Sequence, residues 1–263
     1  MTERLAGEPA AGDEPRAPVR VHVGGVDRWR DLEAWPPREG SQAWYLNGGG
    51  RLGRAADDGD GSSSIRYDPA DPTPSVGGQL TTPQAGPRDN GAIEARPDVL
   101  VFTGEPLQSP LEVLGPVRAE LHLRAGTGYA HVFVRLCDVD TAGRSRNVTD
   151  GIVRLSSGAT EPQAVTVPMS STAHRFEPGH RLRLQVSGGA FPRCARNTGT
   201  GEPLAAAARL VSTDIEVYHD QARPSALVLP GYPGSPGGQE RVRGHAPGSV
   251  PSKFPNRTPG DNR

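Results

Sequence analysis

The sequence predicts an all-β protein, an antiparallel sandwich or jelly roll, and three observations lead to that fold class. Short segments alternate apolar and polar residues with period two, as Leu182, Leu184 and Val186 do, which is typical of a half-buried strand. Turn signals such as Pro178-Gly179 separate these segments at near-regular spacing. Glycine (34) and proline (27) are abundant, and the strand patterns follow one another without intervening helices.

Five strands are predicted in the first half of the chain. Residues 19–23 alternate cleanly, 43–46 form a second short strand, and 98–103 has the length and β-branched content of a buried strand. Residues 117–124 place their apolar side chains on one face and their polar ones on the other. Residues 131–139 form the most apolar segment and are expected to lie centrally in a sheet.

Four more strands complete the prediction, at 164–168, 181–187, 213–218 and 226–229. Turn signals lie between the strands at 126–128, 140–143, 150–151 and 178–179. Only 31–34 and 203–208 could be helical, and both segments are short.

One ordered domain, 18–230, is expected between a disordered N-terminal segment, 1–17, and a disordered Gly/Pro-rich tail, 231–263. Both ends are too polar to bury enough apolar area to offset the entropy of ordering. The first residues lack the apolar core of a signal peptide, and no apolar run approaches the roughly 18 residues of a membrane span. A cytoplasmic protein with no membrane partner is therefore the expectation.

Composition argues against several kinds of partner. Lys+Arg (29) nearly balance Asp+Glu (30), so no basic surface for nucleic acid or for an acidic membrane is expected. Two cysteines, Cys137 and Cys194, do not make a disulfide framework. The seven histidines are scattered without the spacing of a zinc site, so no metal is expected.

No residue of the sequence is expected to catalyse a reaction. An α/β-hydrolase needs its serine in a G-x-S-x-G turn, and no serine of the chain completes that pattern. His174 precedes a strand turn, where a structural hydrogen bond is a better interpretation than a general base. The run from Gly48 to Gly53 satisfies G-x-G-x-x-G, but a loop follows instead of the helix that a dinucleotide site requires, so no cofactor is expected.

Trp29 and Trp35 lie among charged residues in a segment with little core periodicity. One interpretation is a loop pinned by a single buried tryptophan. The other is a surface that docks another domain or lines a ligand cleft, because amphipathic aromatic rings favour such places. Both tryptophans are therefore candidates for a docking or cleft surface.

Six collinear segments carry a resemblance to a known family. They are VRVHVGGVDRWRDLEAWPP, YDPADPTPSVGG, EARPDVLVFTGEPLQSPLEVLGPV, VRLCDVDTAGRSRNVTDGIVR, TAHRFEPGHRLRLQVS and FPRCARNTGTGEP. Together they resemble the C-terminal non-catalytic domain of the CocE/NonD and X-Pro dipeptidyl-peptidase serine hydrolases. The resemblance covers about 19–230 and implies a galactose-binding-like jelly-roll β-sandwich that packs against an α/β-hydrolase domain.

The same resemblance implies which part of the complete enzyme contains the catalytic residues. In that family the Ser-Asp-His triad lies upstream of the matching region, so no catalytic residue is transferred to this chain. The stretch 68–78 resembles the family linker that runs near the mouth of the active site, so Tyr67, Pro74 and Val76 are expected to line a cleft.

The expected function is that of a non-catalytic β-sandwich domain that completes the active site of an α/β-hydrolase domain from the same operon or another chain. A dipeptidyl-peptidase or acyl-esterase label then describes the complete enzyme. One alternative is a stand-alone carbohydrate- or ligand-binding β-sandwich module, and another is a truncated remnant without activity.

Overall fold

The computed structural model describes residues 17–37, 40–57, 61–155, 158–203 and 205–231. The disorder predicted for 1–17 and 231–263 falls, apart from Ala17 and Gly231, on residues outside this description. The strands are β1 (Val19–Val23), β2 (Arg28–Leu32), β3 (Ser41–Asn47), β4 (Arg51–Gly53), β5 (Ser62–Tyr67), β6 (Val99–Gly104), β7 (Leu111–Gly115), β8 (Arg118–Ala125), β9 (His131–Val139), β10 (Ser145–Arg154), β11 (Gln163–Pro168), β12 (Thr172–Phe176), β13 (Arg181–Ser187), β14 (Thr213–Tyr218) and β15 (Ala226–Pro230). A short helix, α1 (Gly91–Glu94), precedes β6.

One large sheet contains eleven of these strands. Its order is β10-β9-β13-β6-β4-β3-β15-β8-β14-β5, and β11 also pairs with β8. Neighbouring strands in the sheet run antiparallel, apart from β4 and β6, which are parallel. Buried side chains of β9 and β13 share one hydrophobic cluster with those of β8 and β14, so the two halves of the sheet enclose a common core. The predicted all-β sandwich is confirmed.

Strand β9 lies centrally, as its sequence predicts. It is flanked by β10 and β13, and all nine of its residues are buried. In β13 the alternation also holds, because Leu182, Leu184 and Val186 are fully buried in the core. The polar residues between them are not simply solvated, since Gln185 is buried as well. Another part of the chain must therefore cover the outer face of β9 and β13.

Two small two-stranded sheets, β1–β2 and β7–β12, lie beside the large one. The β1–β2 hairpin packs on the β7–β12 sheet through Val23 and Leu32, which share a cluster with Leu114 of β7. Trp35 packs against the same cluster. The helix predicted at 31–34 is wrong, because Asp31 and Leu32 belong to β2 and Glu33 and Ala34 lie in a bend. Pairing with β1 and burial of Leu32 outweigh the weak helical tendency of so short a segment.

Two further local predictions are corrected by the structure. The described residues of 203–208 form a turn, because this mostly exposed, alanine-rich stretch has no apolar face to pack on the sheet. Asp150 and Gly151, predicted as a turn, lie inside β10, where they pair with Arg135 and Val134 of β9. The strands that the prediction lacked are β2, β4, β5, β7, β10 and β12.

Candidate docking and cleft surface

The two longest connections of the sandwich meet at one end. One joins β5 to β6 over 68–98, and the other joins β13 to β14 over 188–212. Strand pairing brings the start of each connection to the end of the other, because Tyr67 is opposite Thr213 and Ser187 is opposite Val99. Connections longer than about 12–15 residues are uncommon and usually functional. We call these two connections together the long-loop end.

The two connections are hydrogen-bonded to each other. The Phe191 amide donates to the Thr73 carbonyl at 2.8 Å, and the Ser75 amide donates to the Phe191 carbonyl at 2.7 Å. These bonds place Pro74 beside Phe191 in a short parallel bridge. The segment that contains two of the predicted cleft residues, Pro74 and Val76, is therefore tied to the second connection.

Tyr67 lies beneath this junction. Its side chain is 1% exposed, and its ring lies against Gly188 and Gly189 at the start of the second connection. Burial raises the pKa of Tyr67 to about 12. The tyrosine therefore supports the junction from below as a neutral side chain, while Pro74 is exposed and Val76 is partly exposed.

A buried arginine attaches the first connection to the outer face of the sheet. Arg135 of β9 is 1% exposed and donates to the Val76 carbonyl at 2.5 Å and to Asn90 Oδ1 at 2.8 Å. Its other terminal nitrogen donates to Asp150 Oδ2 at 3.0 Å. Arg193 of the second connection binds the remaining oxygen of Asp150 at 2.7 Å, and that hydrogen bond raises the pKa of Arg193. One carboxylate thus joins both connections to the sheet.

A second buried carboxylate fastens the connection near its helix. Glu94 accepts hydrogen bonds from Ser145 Oγ at 2.5 Å, Arg183 Nη1 at 2.5 Å and Gln185 Nε2 at 2.8 Å. These donors come from β10 and β13, so α1 is bound across two strands. Charge-assisted hydrogen bonds of this kind are shorter and stronger than neutral ones.

A third anchor lies just before β6. Asp98 accepts from Thr73 Oγ1 at 2.6 Å and from Arg96 Nε at 2.7 Å. It therefore ties the end of the connection back to its beginning. The hydrogen bond to Asp98 also raises the pKa of Arg96.

A cleft of about 150 Å³ opens between the first connection and β10. Its lining residues are Gly78, Gln79, Gly86, Pro87, Asn147, Val148, Thr149 and Asp150. A side chain at Gly78 would lie 2.9 Å from both Arg193 Nη1 and Asp150 Oδ2, so a glycine is needed where the chain passes this ion pair. No group of His, Cys, Asp and Glu within the described residues could hold a metal ion.

Comparison with known proteins identifies this architecture. The family model of the X-Pro dipeptidyl-peptidase C-terminal non-catalytic domain matches residues 10–228. The chain belongs to this family. It is the non-catalytic domain of CocE/NonD-type hydrolases. Among its described residues, no helix has the length and apolar character to cross a membrane.

Relatives of this non-catalytic domain are larger proteins. The chain is 34% identical over 253 residues to cocaine esterase from Rhodococcus sp. (strain MB1 Bresler), a match that covers 87% of this chain and 43% of the esterase. A solved α-amino acid ester hydrolase matches with a TM-score of 0.74 and 27% identity, over 86% of this chain and 42% of that one. An aminopeptidase from the marine sediment archaeon Thaumarchaeota archaeon shares the fold, with a TM-score of 0.75, 24% identity, and coverage of 83% and 41%. The chain thus spans less than half the length of these proteins.

The two tryptophan candidates lie away from the long-loop end of the non-catalytic domain and differ in their surroundings. Trp35 packs on the cluster beneath the β1–β2 hairpin, as the pinned-loop interpretation has it. Trp29 is 62% exposed on that hairpin, which fits the docking interpretation. The structure therefore brings Tyr67, Pro74 and Val76 together at one place and Trp29 and Trp35 at another. Their roles in docking or in lining a cleft stay predictions.

Exposed apolar residues that sequence reasoning missed also lie on the second connection. Phe191, Leu210 and Val211 are 42%, 42% and 40% exposed. Phe191 follows a glycine-rich stretch, and Leu210 and Val211 are neighbours at the end of an alanine-rich one. Large apolar residues in a long connection are the signal that could have singled them out. The long-loop end is therefore the part of the surface where exposed apolar side chains and anchored backbone coincide.

Three histidines of the described residues, His174, His180 and His219, form structural contacts. His174 Nε2 and His180 Nδ1 lie 2.9 and 2.8 Å from the two oxygens of Asp138, as the structural interpretation of His174 has it. Ser63 Oγ lies 3.0 Å from His219 Nε2. Among the described residues no carboxylate binds the other ring nitrogen of His219, and Ser63 lies on strand β5 rather than on a sharp strand-to-helix turn.

Proposed function

We propose that this domain packs on an α/β-hydrolase domain and that its long-loop end closes part of the active site there. One observation carries the proposal: the connection 68–98 has almost no regular secondary structure, yet buried polar residues of β9, β10 and β13 anchor it. Surface connections of this length are usually the mobile parts of a domain. A wall of a substrate cleft needs the opposite property, a backbone held in one conformation by supporting hydrogen bonds.

The reacting groups belong to the partner domain in this proposal. A serine of a Ser-Asp-His triad there attacks the substrate carbonyl, and backbone N–H groups stabilise the oxyanion. The residues of this chain exclude water and position the substrate. Pro74 and Val76 line the mouth of the active-site cleft of the partner domain. Tyr67 supports them from below, and Arg135 binds the Val76 carbonyl.

The substrate class follows from the family, and it is an ester, an amide or an X-Pro peptide. Dipeptidyl-peptidase or esterase activity belongs to the complete enzyme. The galactose-binding-like subclass of sandwich and the cytoplasmic location remain predictions from the sequence.

A split-enzyme experiment tests the docking. The catalytic portion of the Rhodococcus cocaine esterase is produced without its matching C-terminal segment, and this chain is added as a separate polypeptide. We expect a complex on size-exclusion chromatography and a gain in hydrolysis of a p-nitrophenyl ester. The esterase's own segment is the positive control. No complex with this chain, where the control forms one, contradicts the proposal.

A labelling experiment tests the division of chemistry. We expect the isolated chain to hydrolyse no ester. We also expect it to remain unlabelled by a fluorophosphonate probe, which phosphonylates nucleophilic serines. Ser63 is the hydroxyl to examine, because His219 lies within hydrogen-bond distance of it. Labelling that Ser63→Ala abolishes would show that this chain has a nucleophile of its own.

A further inference from the structure

The β1–β2 hairpin has one buried face and one open face. Its inner face packs through Val23 and Leu32 on the cluster shared with β7 and β12. Strand register places His22 opposite Trp29 and Arg20 opposite Asp31. We call the last four residues, Arg20, His22, Trp29 and Asp31, the hairpin patch.

Trp29 is held in place on this patch by its neighbours. The His22 ring meets it edge to face, with centroids 5.2 Å apart and an interplanar angle of 70°. The Arg20 guanidinium carbon lies over the Trp29 ring, 5.6 Å from its centre. Restricting an aromatic side chain before binding lowers the entropy lost on association. Tryptophan and arginine are also the residues that most often dominate the binding energy of interfaces.

The polar side chains of the hairpin patch have partners within the hairpin. Arg20 Nε lies 3.5 Å from Asp31 Oδ1, and His22 Nε2 lies 2.7 Å from Asp27 Oδ1. A partner that covers Trp29 therefore needs no strongly charged surface of its own. An exposed tryptophan ringed by paired charges matches the apolar centre and polar rim of a protein–protein interface.

The position of the patch along the chain indicates what covers it. This domain is the C-terminal domain of the family's complete enzymes. In the relatives, the rest of the polypeptide therefore precedes the segment equivalent to β1. The family match begins at residue 10, and β1 begins at Val19. Even a fully extended connection between these points spans only about 30 Å. In a relative, the polypeptide that follows the catalytic portion therefore leads into the hairpin before any other strand of this domain.

We propose that the hairpin patch is a docking surface for the catalytic α/β-hydrolase domain, with Trp29 as its central contact. This inference rests on the proposed function and adds to it a second contact, separate from the long-loop end. It requires that Trp29 become buried when the two parts associate. It also requires that removal of the indole ring weaken the association.

The experiment uses this chain and the catalytic portion of the Rhodococcus cocaine esterase, mixed as separate polypeptides. Affinity is measured for the wild-type chain, for Trp29→Ser and for Gln163→Ser. The last variant is the control, because it shortens an exposed side chain on β11, a strand that belongs to neither proposed contact. We expect about 30-fold weaker binding for Trp29→Ser, the size of an interface hot spot, and little change for Gln163→Ser. Circular dichroism checks that both variants fold.

A spectroscopic readout accompanies the affinities. The chain is labelled with 5-fluorotryptophan, and the ¹⁹F resonance that is missing in Trp29→Phe is assigned to Trp29. In the complex, this resonance is expected to shift and to lose its dependence on the H₂O/D₂O ratio. Unchanged binding by Trp29→Ser, equal losses in both serine variants, or a Trp29 resonance that stays solvent-accessible in the complex would each overturn the inference and leave the proposed function standing. A wild-type chain that forms no complex overturns both.

Discussion

Gly188 and Gly189 follow β13 side by side, yet their surroundings differ. A Cβ atom at Gly188 would lie 2.4 Å from Cδ2 of the Tyr67 ring, whereas one at Gly189 would lie 3.6 Å from the nearest ring atom. The first distance excludes a side chain, and the second is an ordinary van der Waals contact. Because Tyr67 is fully enclosed, its ring has no free space to move into.

We therefore expect Gly188→Ala to lower the free energy of unfolding by about 1–3 kcal/mol, the usual cost of overpacking. Gly189→Ala is the matched control and should change it by less than about 0.5 kcal/mol. Urea denaturation followed by fluorescence measures both values. Equal midpoints for the two variants would mean that Tyr67 does not restrict this turn.

At the scale of elements, the connection 68–98 behaves as part of the sheet rather than as a free loop. Its backbone bonds include a reciprocal pair between Gly78 and Gly86, each 2.9 Å long. Arg135 binds the connection on both sides of that pair, at Val76 and at Asn90. Arg135 thus joins β9 to the connection at two separated points.

Replacement of Arg135 by methionine is expected to loosen the connection more than the sheet. The amides of Gly78 and Gly86 should exchange hydrogen at least about tenfold faster, which corresponds to a loss of roughly 1.4 kcal/mol of local protection. Hydrogen exchange with mass spectrometry measures this change against that of β13. The control is Arg66→Met, which breaks only an exposed ion pair with Asp214. Equal effects of the two substitutions would rule out a special role for Arg135.

At the scale of the whole molecule, stability is expected to depend on pH through His131. This residue begins β9 and is buried, and burial lowers its pKa below 6.5, with a smaller contribution from the positive charge of Arg154. The folded state therefore binds fewer protons than the unfolded state between the lowered pKa and 6.5. Stabilisation by neutral His131 is complete above pH 6.5 and is lost as the pH falls through that interval.

The wild-type chain is accordingly expected to lose stability faster than His131→Gln when the pH is lowered from 7 towards 5. A single group contributes at most about 1.4 kcal/mol per pH unit to this difference. Urea denaturation of both proteins at a series of pH values measures it, and the difference between the two curves removes the contribution of other groups. Parallel curves would contradict the assignment to His131.

The strands that the sequence predicted correctly are those with a local pattern. The alternation of β13 and the apolar run of β9 are written in consecutive residues, so no other part of the chain is needed to see them. Strands such as β5 and β10 escaped prediction because they are rich in polar residues. Asp150 can be buried inside β10 because Arg135 and Arg193 bind its carboxylate.

The sequence by itself determined the all-β class, the family and the absence of a G-x-S-x-G serine, because each depends on residues that are near neighbours or on a fixed order of segments. Only the tertiary structure decided which polar side chains are buried and which tryptophan is exposed. Arg135 is buried because a connection distant in sequence covers its face of β9, and Trp29 is exposed because the inner face of its hairpin is the one that finds an apolar neighbour. Burial of a side chain is set by the part of the chain that packs on it, and that partner lies outside any local pattern.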